Sequence, residues 1–422
     1  MSKYQNIMGQ INYGLFLVLV ALLPFPQILL RYAMGLWLIS WLLEGRWWSK
    51  PKSLKENKMA IPFILFGAWY VWKVISGFWA NDLAAWSWQL ERYMTFVLIL
   101  PIALWGVNER YEWKTVGKVL VGSCVIAVPA YLIWMTALHA HPQWVPYLNL
   151  PEEWIHHESW RTFVAENISF FKHRLFLCSI ELFGAVIACQ LFRKQWKILL
   201  PCLAVMLSVI PMTGSRQSVI TVVLLAIILA LMALPKGKRI QYGLAVIAVG
   251  VIIGVGLLKL HPRMQHFDWR AVTEMRDLSY NHDLRFNIWG AALQHPQDYW
   301  AYGLGAGQSS HYMVERFEEA HFDYYAQMKY HPHNQYLEEL MEIGVGGLIL
   351  FLLAWLSIPL CAKNKGRRTA VLFITLFLLD MLTDCIFGKF DGIALWAIGL
   401  LFVLLQSYAE REEQTSRDTQ TH

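Results

Sequence analysis

Charge is scarce in this sequence. Asp, Glu, Lys and Arg make up 16% of its 422 residues, against roughly 25% in an average soluble chain. Hydrophobic residues make up 56%, more than a soluble domain can cover with its own polar surface. Together these figures exclude an ordinary soluble enzyme, a disordered regulator and a nucleic-acid binder. Cysteine is sparse as well. The six residues lie in or beside apolar stretches, with no CxxC and no Cys/His cluster, and read as small buried apolar side chains. No cleavable signal is expected: Met1 to Gln10 is short and polar, and the apolar run from Ile11 continues without an A-x-A-like site. No internal repeat and no matched halves with broken helices, the pattern of many transporters, can be found.

Long apolar runs are present instead. They predict twelve membrane crossings, at 11–25, 27–44, 59–79, 86–106, 115–138, 168–192, 197–214, 216–234, 240–260, 334–361, 369–387 and 392–408. With both termini on the cytoplasmic side, basic residues gather at every inward loop. These are Arg46, Lys50, Lys52, Lys55 and Lys58; Arg110 and Lys114; Arg193, Lys194 and Lys197; Lys236, Lys238 and Arg239; and Lys363, Lys365, Arg367 and Arg368. That is the positive-inside pattern, and the 21 Trp residues suit segment ends at membrane interfaces. The expected organisation is 1–260 for the first nine crossings, 261–332 for a helical outward region, 333–408 for three more crossings, and 409–422 for a polar cytoplasmic tail.

Chemistry is sought on the outward side and inside the membrane. Arg31 and Lys73 read as snorkelling cations. Arg216 follows Gly214 and Ser215 at the start of a helix, where backbone N–H groups and a guanidinium converge. It reads as a phosphate ligand or as an interfacial anchor. Residues 283–294 read as an amphipathic helix with Asp283 as N-cap and apolar Leu284, Ile288, Ala291 and Ala292; Arg285 and Trp289 form a second stripe. Gly303, Gly305 and Gly307 read as a turn or a tight backbone approach, since no P-loop Lys follows.

The sharpest patch is His331-Pro332-His333-Asn334, which leads into the tenth crossing. His333 there is a candidate proton acceptor near neutral pH. Two alternatives stand beside that reading: a helix cap, and a metal site without a clear third ligand. Glu338 and Glu339 read as acids favouring a helix start, and Gly344 and Gly347 as a face for a close neighbouring helix. Asp391, beside Lys389, either supports the site or forms a plain surface pair.

The spacing His333-Asn334-x9-Gly344-x2-Gly347 resembles the His-Asn/Ser/Gln motif of bacterial O-antigen ligases. Ser215-Arg216, Arg285-x3-Trp289 with Pro296, and the glycine run resemble the same superfamily, which also holds O-antigen polymerases and protein O-oligosaccharyltransferases. The resemblance implies an all-α integral membrane protein of the membrane glycosyltransferase (GT-C-like) type, with a helical periplasmic region. It implies an inverting transfer of a glycan from undecaprenyl diphosphate to lipid A–core, in the bacterial inner membrane, during lipopolysaccharide biosynthesis. Arg216 and Arg285 would bind the diphosphate and His333 would act as base or orient the acceptor, with Ser215, Asn334 and Asp391 in support. The leaving group is already activated, so neither ATP, a metal nor another cofactor is expected. Rival readings are the polymerase, a pilin O-oligosaccharyltransferase and, from another class, a flippase for lipid-linked sugars.

Overall fold

A computed structural model describes residues 3–45, 58–107, 110–141, 143–144, 160–260 and 284–420. Those residues are helical apart from turns and short connections. In chain order the helices are α1 (Lys3–Leu22), α2 (Gln27–Glu44), α3 (Ala60–Ile75), α4 (Leu83–Trp105), α5 (Trp113–Ala140), α6 (Trp160–Phe171), α7 (Arg174–Leu191), α8 (Trp196–Leu207) and α9 (Val209–Thr213). They continue with α10 (Arg216–Ala233), α11 (Arg239–Leu260), α12 (Leu284–Ala292), α13 (Ser309–Glu319), α14 (Asp323–Gln327), α15 (Gln335–Cys361), α16 (Asn364–Asp380) and α17 (Phe390–Gln420).

Helix covers most of each of the twelve apolar runs. Among the described residues, nine helical segments are long and apolar enough to cross a bilayer. The other three runs fall on α2, α4 and α16. α4 carries Gln89, Glu91 and Arg92, and α16 is only 17 residues long and starts in a cluster of basic residues. The proposed N-cap Asp283, the loop at 46–57 and residues 261–283 of the expected outward region lie outside the described residues.

The chain divides into two compact units. One comprises residues 1–47, 108–264 and 408–422, the other 48–107 and 265–407. In the first unit, α1 packs on α2 and α5, and α7 on α5 and α8. A polar network ties α1 to α2: Asn12 donates to the Trp37 carbonyl at 3.2 Å and to Ser40 Oγ at 2.9 Å, and Tyr111 OH donates to Asn12 Oδ1 at 2.8 Å. A buried amide on an apolar helix needs such partners.

The second unit is built on α3 packed along α15, flanked by α4 and α16. Its core is aromatic. Phe96 and Trp396 rings lie 4.3 Å apart, Phe66 and Trp396 5.0 Å apart, and Trp355 stacks on Phe387 at 5.8 Å. Such offset and edge-on pairs add stabilisation beyond their buried area.

α15 is not one continuous helix. Gly344 has φ 67° and ψ −175°, which interrupts the helical ladder. The segment bearing the glycine run fills the break. Leu304 N–H donates to the Met341 carbonyl at 2.8 Å, Gly305 N–H to the Glu342 carbonyl at 2.9 Å, and Val345 N–H to the Trp300 carbonyl at 2.8 Å. A side chain at Gly344 would lie 2.4 Å from the Ala301 carbonyl oxygen, and one at Gly303 equally close to the Glu342 backbone. The glycine run is therefore a tight backbone approach, as the sequence suggests. The reading of Gly344 and Gly347 as a face for a neighbouring helix is corrected. Gly344 supplies a conformation closed to other residues, and the Cβ position at Gly347 points at Ile343 of the same helix.

Candidate active site

The second unit gathers the chemistry around the start of α15. Asn334 caps that helix, its Oδ1 accepting from Tyr336 N–H at 3.0 Å and Leu337 N–H at 3.1 Å. Asn334 is thus a helix cap that fixes the residue before it. Gln335 clamps the same end to the connection between α16 and α17: its N–H donates to the Met381 carbonyl at 2.8 Å, and its Oε1 accepts from Phe387 N–H at 2.9 Å. That connection carries Asp384.

His333 has a left-handed backbone, φ 48°, uncommon for a residue with a side chain. Its Nδ1 lies 3.6 Å from Asp384 Oδ1, and the Asp384 side chain is only 4% exposed. That distance is an ion-pair approach rather than a hydrogen bond, a looseness common in active sites without substrate. Asp384 Oδ1 also accepts from Cys385 N–H at 2.9 Å, and its Oδ2 from Lys389 Nζ at 2.7 Å. Facing the carboxylate, Nδ1 carries the proton in the neutral ring. Nε2 then holds the lone pair, and it is buried without a hydrogen-bond partner among the described residues.

His331 lies against His333, ring centroids 3.9 Å apart. The His333 N–H donates to its Nδ1 at 3.2 Å. Burial and the neighbouring His333 push the His331 imidazolium down to about 3, against the opposing pull of Asp384. A neutral ring that accepts from the His333 backbone holds the left-handed turn in place.

Arg285 and Trp289 lie on one face of α12, four residues apart. Trp289 Nε1 donates to the Pro332 carbonyl at 3.0 Å, immediately before His333. The stripe therefore braces the histidine segment and sets Arg285 one turn earlier on the same helix face. Ile288, Ala291 and Ala292 are fully buried on the adjoining stripe, and Trp289 packs against their cluster. Arg216 and Ser215 belong to the first unit. Ser215 caps α10, its Oγ accepting from Ser218 N–H at 3.3 Å and Ser218 Oγ–H at 2.8 Å. Gly214 before it is left-handed, φ 58°, and half-buried Arg216 occupies the helix's first position.

Several readings of the sequence are corrected. Lys73 does not snorkel. It is fully buried, 2.7 Å from Glu342 and 3.1 Å from Glu339. Glu338 lies in the first turn of α15, as the sequence suggests, and both it and Glu339 are buried. Glu339 accepts from Trp69 Nε1 at 2.8 Å and from Gln335 Nε2 at 2.8 Å, and Glu342 from Ser309 Oγ at 3.0 Å. The Lys73 ammonium from α3 meets two of these carboxylates, Glu339 and Glu342. Asp391 is buried in the first turn of α17, so it is no surface pair. The carboxylate beside His333 is Asp384, which sequence reasoning missed. Its only signal was an acid in a short apolar turn five residues before a lysine.

The ligand atoms of His331, His333 and Asp384 all lie within 4.8 Å of one another, the donor set of a divalent-metal site. The Lys389 ammonium already pairs with the carboxylate, at Oδ2. A base oriented by a carboxylate is the chemistry this arrangement suits better.

Residues 201–352 match the family model described as O-Antigen ligase. Over that segment the chain is similar to the O-antigen ligase superfamily. No curated protein matches the sequence. Superfamily members are glycosyltransferase-type membrane enzymes that act on lipid-linked glycans. The matched segment contains Arg216, Arg285, the glycine run, His333, Gly344 and Gly347. Asp384, Lys73 and Arg92 lie outside it.

Proposed function

We propose that this protein is an O-antigen ligase of the bacterial inner membrane. It transfers an undecaprenyl-diphosphate-linked O-antigen glycan to a hydroxyl of lipid A–core, with the site on the periplasmic side and both termini in the cytoplasm. The observation that carries the reading is the buried, partnerless Nε2 of His333, with Nδ1 turned toward Asp384. In the reaction, the acceptor hydroxyl oxygen attacks the anomeric carbon as its proton passes to His333 Nε2. The bond from that carbon to the diphosphate oxygen breaks, and undecaprenyl diphosphate leaves with the electron pair. The new bond forms on the face opposite the leaving group, so configuration inverts.

Asp384 keeps the His333 tautomer and stabilises the imidazolium that forms. Arg285 binds the diphosphate as charge builds on it, and the family resemblance assigns Arg216 the same role. Arginine suits that task because its fork stays charged and matches phosphate oxygens. Neither ATP nor a metal enters the step.

The test is a transfer assay with purified protein and undecaprenyl-diphosphate-linked glycan, with EDTA and without ATP. Lipid A–core, a second lipid-linked glycan and a pilin are offered as separate acceptors. Glycosylated lipid A–core is expected. Longer lipid-linked glycans alone would make the protein a polymerase, and modified pilin alone an oligosaccharyltransferase. Movement of the donor across vesicles without any transfer would make it a flippase.

A further inference from the structure

A cavity of about 610 Å³ opens beside the His331–Asp384 cluster, inside the second unit. Its size lies within the range of small-molecule clefts. His331 and Lys389 form the edge it shares with the cluster, whereas neither His333 nor Arg285 lines it. On its α4 wall, the Arg92 guanidinium stacks over the exposed Trp88 ring at 4.4 Å and reaches Gln89 Oε1 at 3.4 Å. Stacking fixes the plane of the fork, and no carboxylate pairs with it among the described residues. Lys389 stands on the same wall, one residue past Gly388, whose missing side chain leaves the Arg92 guanidinium room. Glu338 also lines the cavity, 5% exposed, with the Gln335 amide donating to it at 2.9 Å. A fixed guanidinium and a buried carboxyl group lining one cavity call for a ligand that carries an anion and hydroxyls together.

We infer that this cavity is the acceptor subsite and that it takes a sugar bearing a phosphate. Arg92 holds the phosphate and Glu338 accepts from ring hydroxyls. The ligand would enter beside the dyad without using Arg285, which the proposed transfer reserves for the donor. The word acceptor rests on that proposed transfer; the sugar-phosphate chemistry does not.

Binding to the full chain in detergent is measured by saturation-transfer NMR with three probes: glucose 6-phosphate, glucose and inorganic phosphate. Glucose 6-phosphate is expected to bind at least about tenfold more tightly than either fragment. Arg92→Gln should weaken it about tenfold or more and leave glucose unchanged, and Glu338→Gln should weaken glucose as well. Should Glu338→Gln fail to fold, Lys329→Gln on the cavity's exposed rim tests the anionic preference instead. Phosphorylated lipid A–core should displace glucose 6-phosphate, and undecaprenyl diphosphate should not. Equal binding of glucose and its phosphate, or no effect of Arg92→Gln, overturns the subsite. Displacement by undecaprenyl diphosphate alone overturns its assignment to the acceptor. Because the readout needs no turnover, failure of transfer with this binding intact would count against the proposed reaction only.

Discussion

Replacing Lys73 with Met should unfold the second unit more readily than any nearby surface change. The ammonium is fully buried and holds Glu342 at 2.7 Å and Glu339 at 3.1 Å. Met keeps the length of the side chain and removes the charge, so packing changes little. Glu339 keeps Trp69 and Gln335 as donors, and Glu342 keeps Ser309. Those neutral donors do not offset two buried carboxylates. Breaking a buried ion pair on one side costs about 3–5 kcal/mol, a shift of roughly two to three orders of magnitude in the folded-to-unfolded ratio. The assay is equilibrium unfolding in detergent, followed by Trp fluorescence. A triple variant with Glu339→Gln and Glu342→Gln should recover most of the loss, because no unpaired charge remains. A loss below about 1 kcal/mol for Lys73→Met, or no recovery in the triple variant, would refute the reasoning, since an exposed pair is worth no more than that.

Three further outcomes follow from the geometry. Gly344→Ala should cost about 3 kcal/mol or more in the same unfolding assay, because its Cβ would meet the Ala301 carbonyl at 2.4 Å in a backbone region reserved for glycine. Trp289→Phe should cost about 1 kcal/mol by removing the bond to the Pro332 carbonyl, and should slow transfer by more than it weakens donor binding, read as separate single-turnover and binding measurements. His331 sets part of the acid sensitivity. Unfolded, it takes a proton near 6.5; folded, only near 3. Between those values the unfolded chain binds more protons, so stability present above pH 6.5 is lost as pH falls toward 3. His331→Gln should flatten that part of the stability profile.

The helices were largely legible in the sequence, because a bilayer crossing needs an unbroken apolar run and the runs are long. The start of α15 was legible too. Asn334 is a strong cap type and His333 precedes it at a water-facing boundary. What local reading missed depends on partners distant in the chain. Lys73 looked like an interfacial cation because its two carboxylates lie about 270 residues away on α15. The burial of Glu338 and Glu339 was hidden for the same reason. Asp384 had no spacing signal tying it to His333, since the link is made by Gln335 clamping one end of α15 to the following connection. Gly344 was recognised as part of a motif but read as a packing face. Its positive φ depends on the 300–305 segment, which only the folded chain brings to it.

That His333 is a base held by Asp384 is tested most directly by single-turnover transfer. Wild type, His333→Ala and Asp384→Asn are compared with EDTA present, and donor binding is measured in parallel. The account predicts that both variants bind the donor normally and transfer at least about a hundredfold more slowly. Transfer by His333→Ala at the wild-type rate, or wild-type activity abolished by EDTA and restored by a divalent metal, would contradict it.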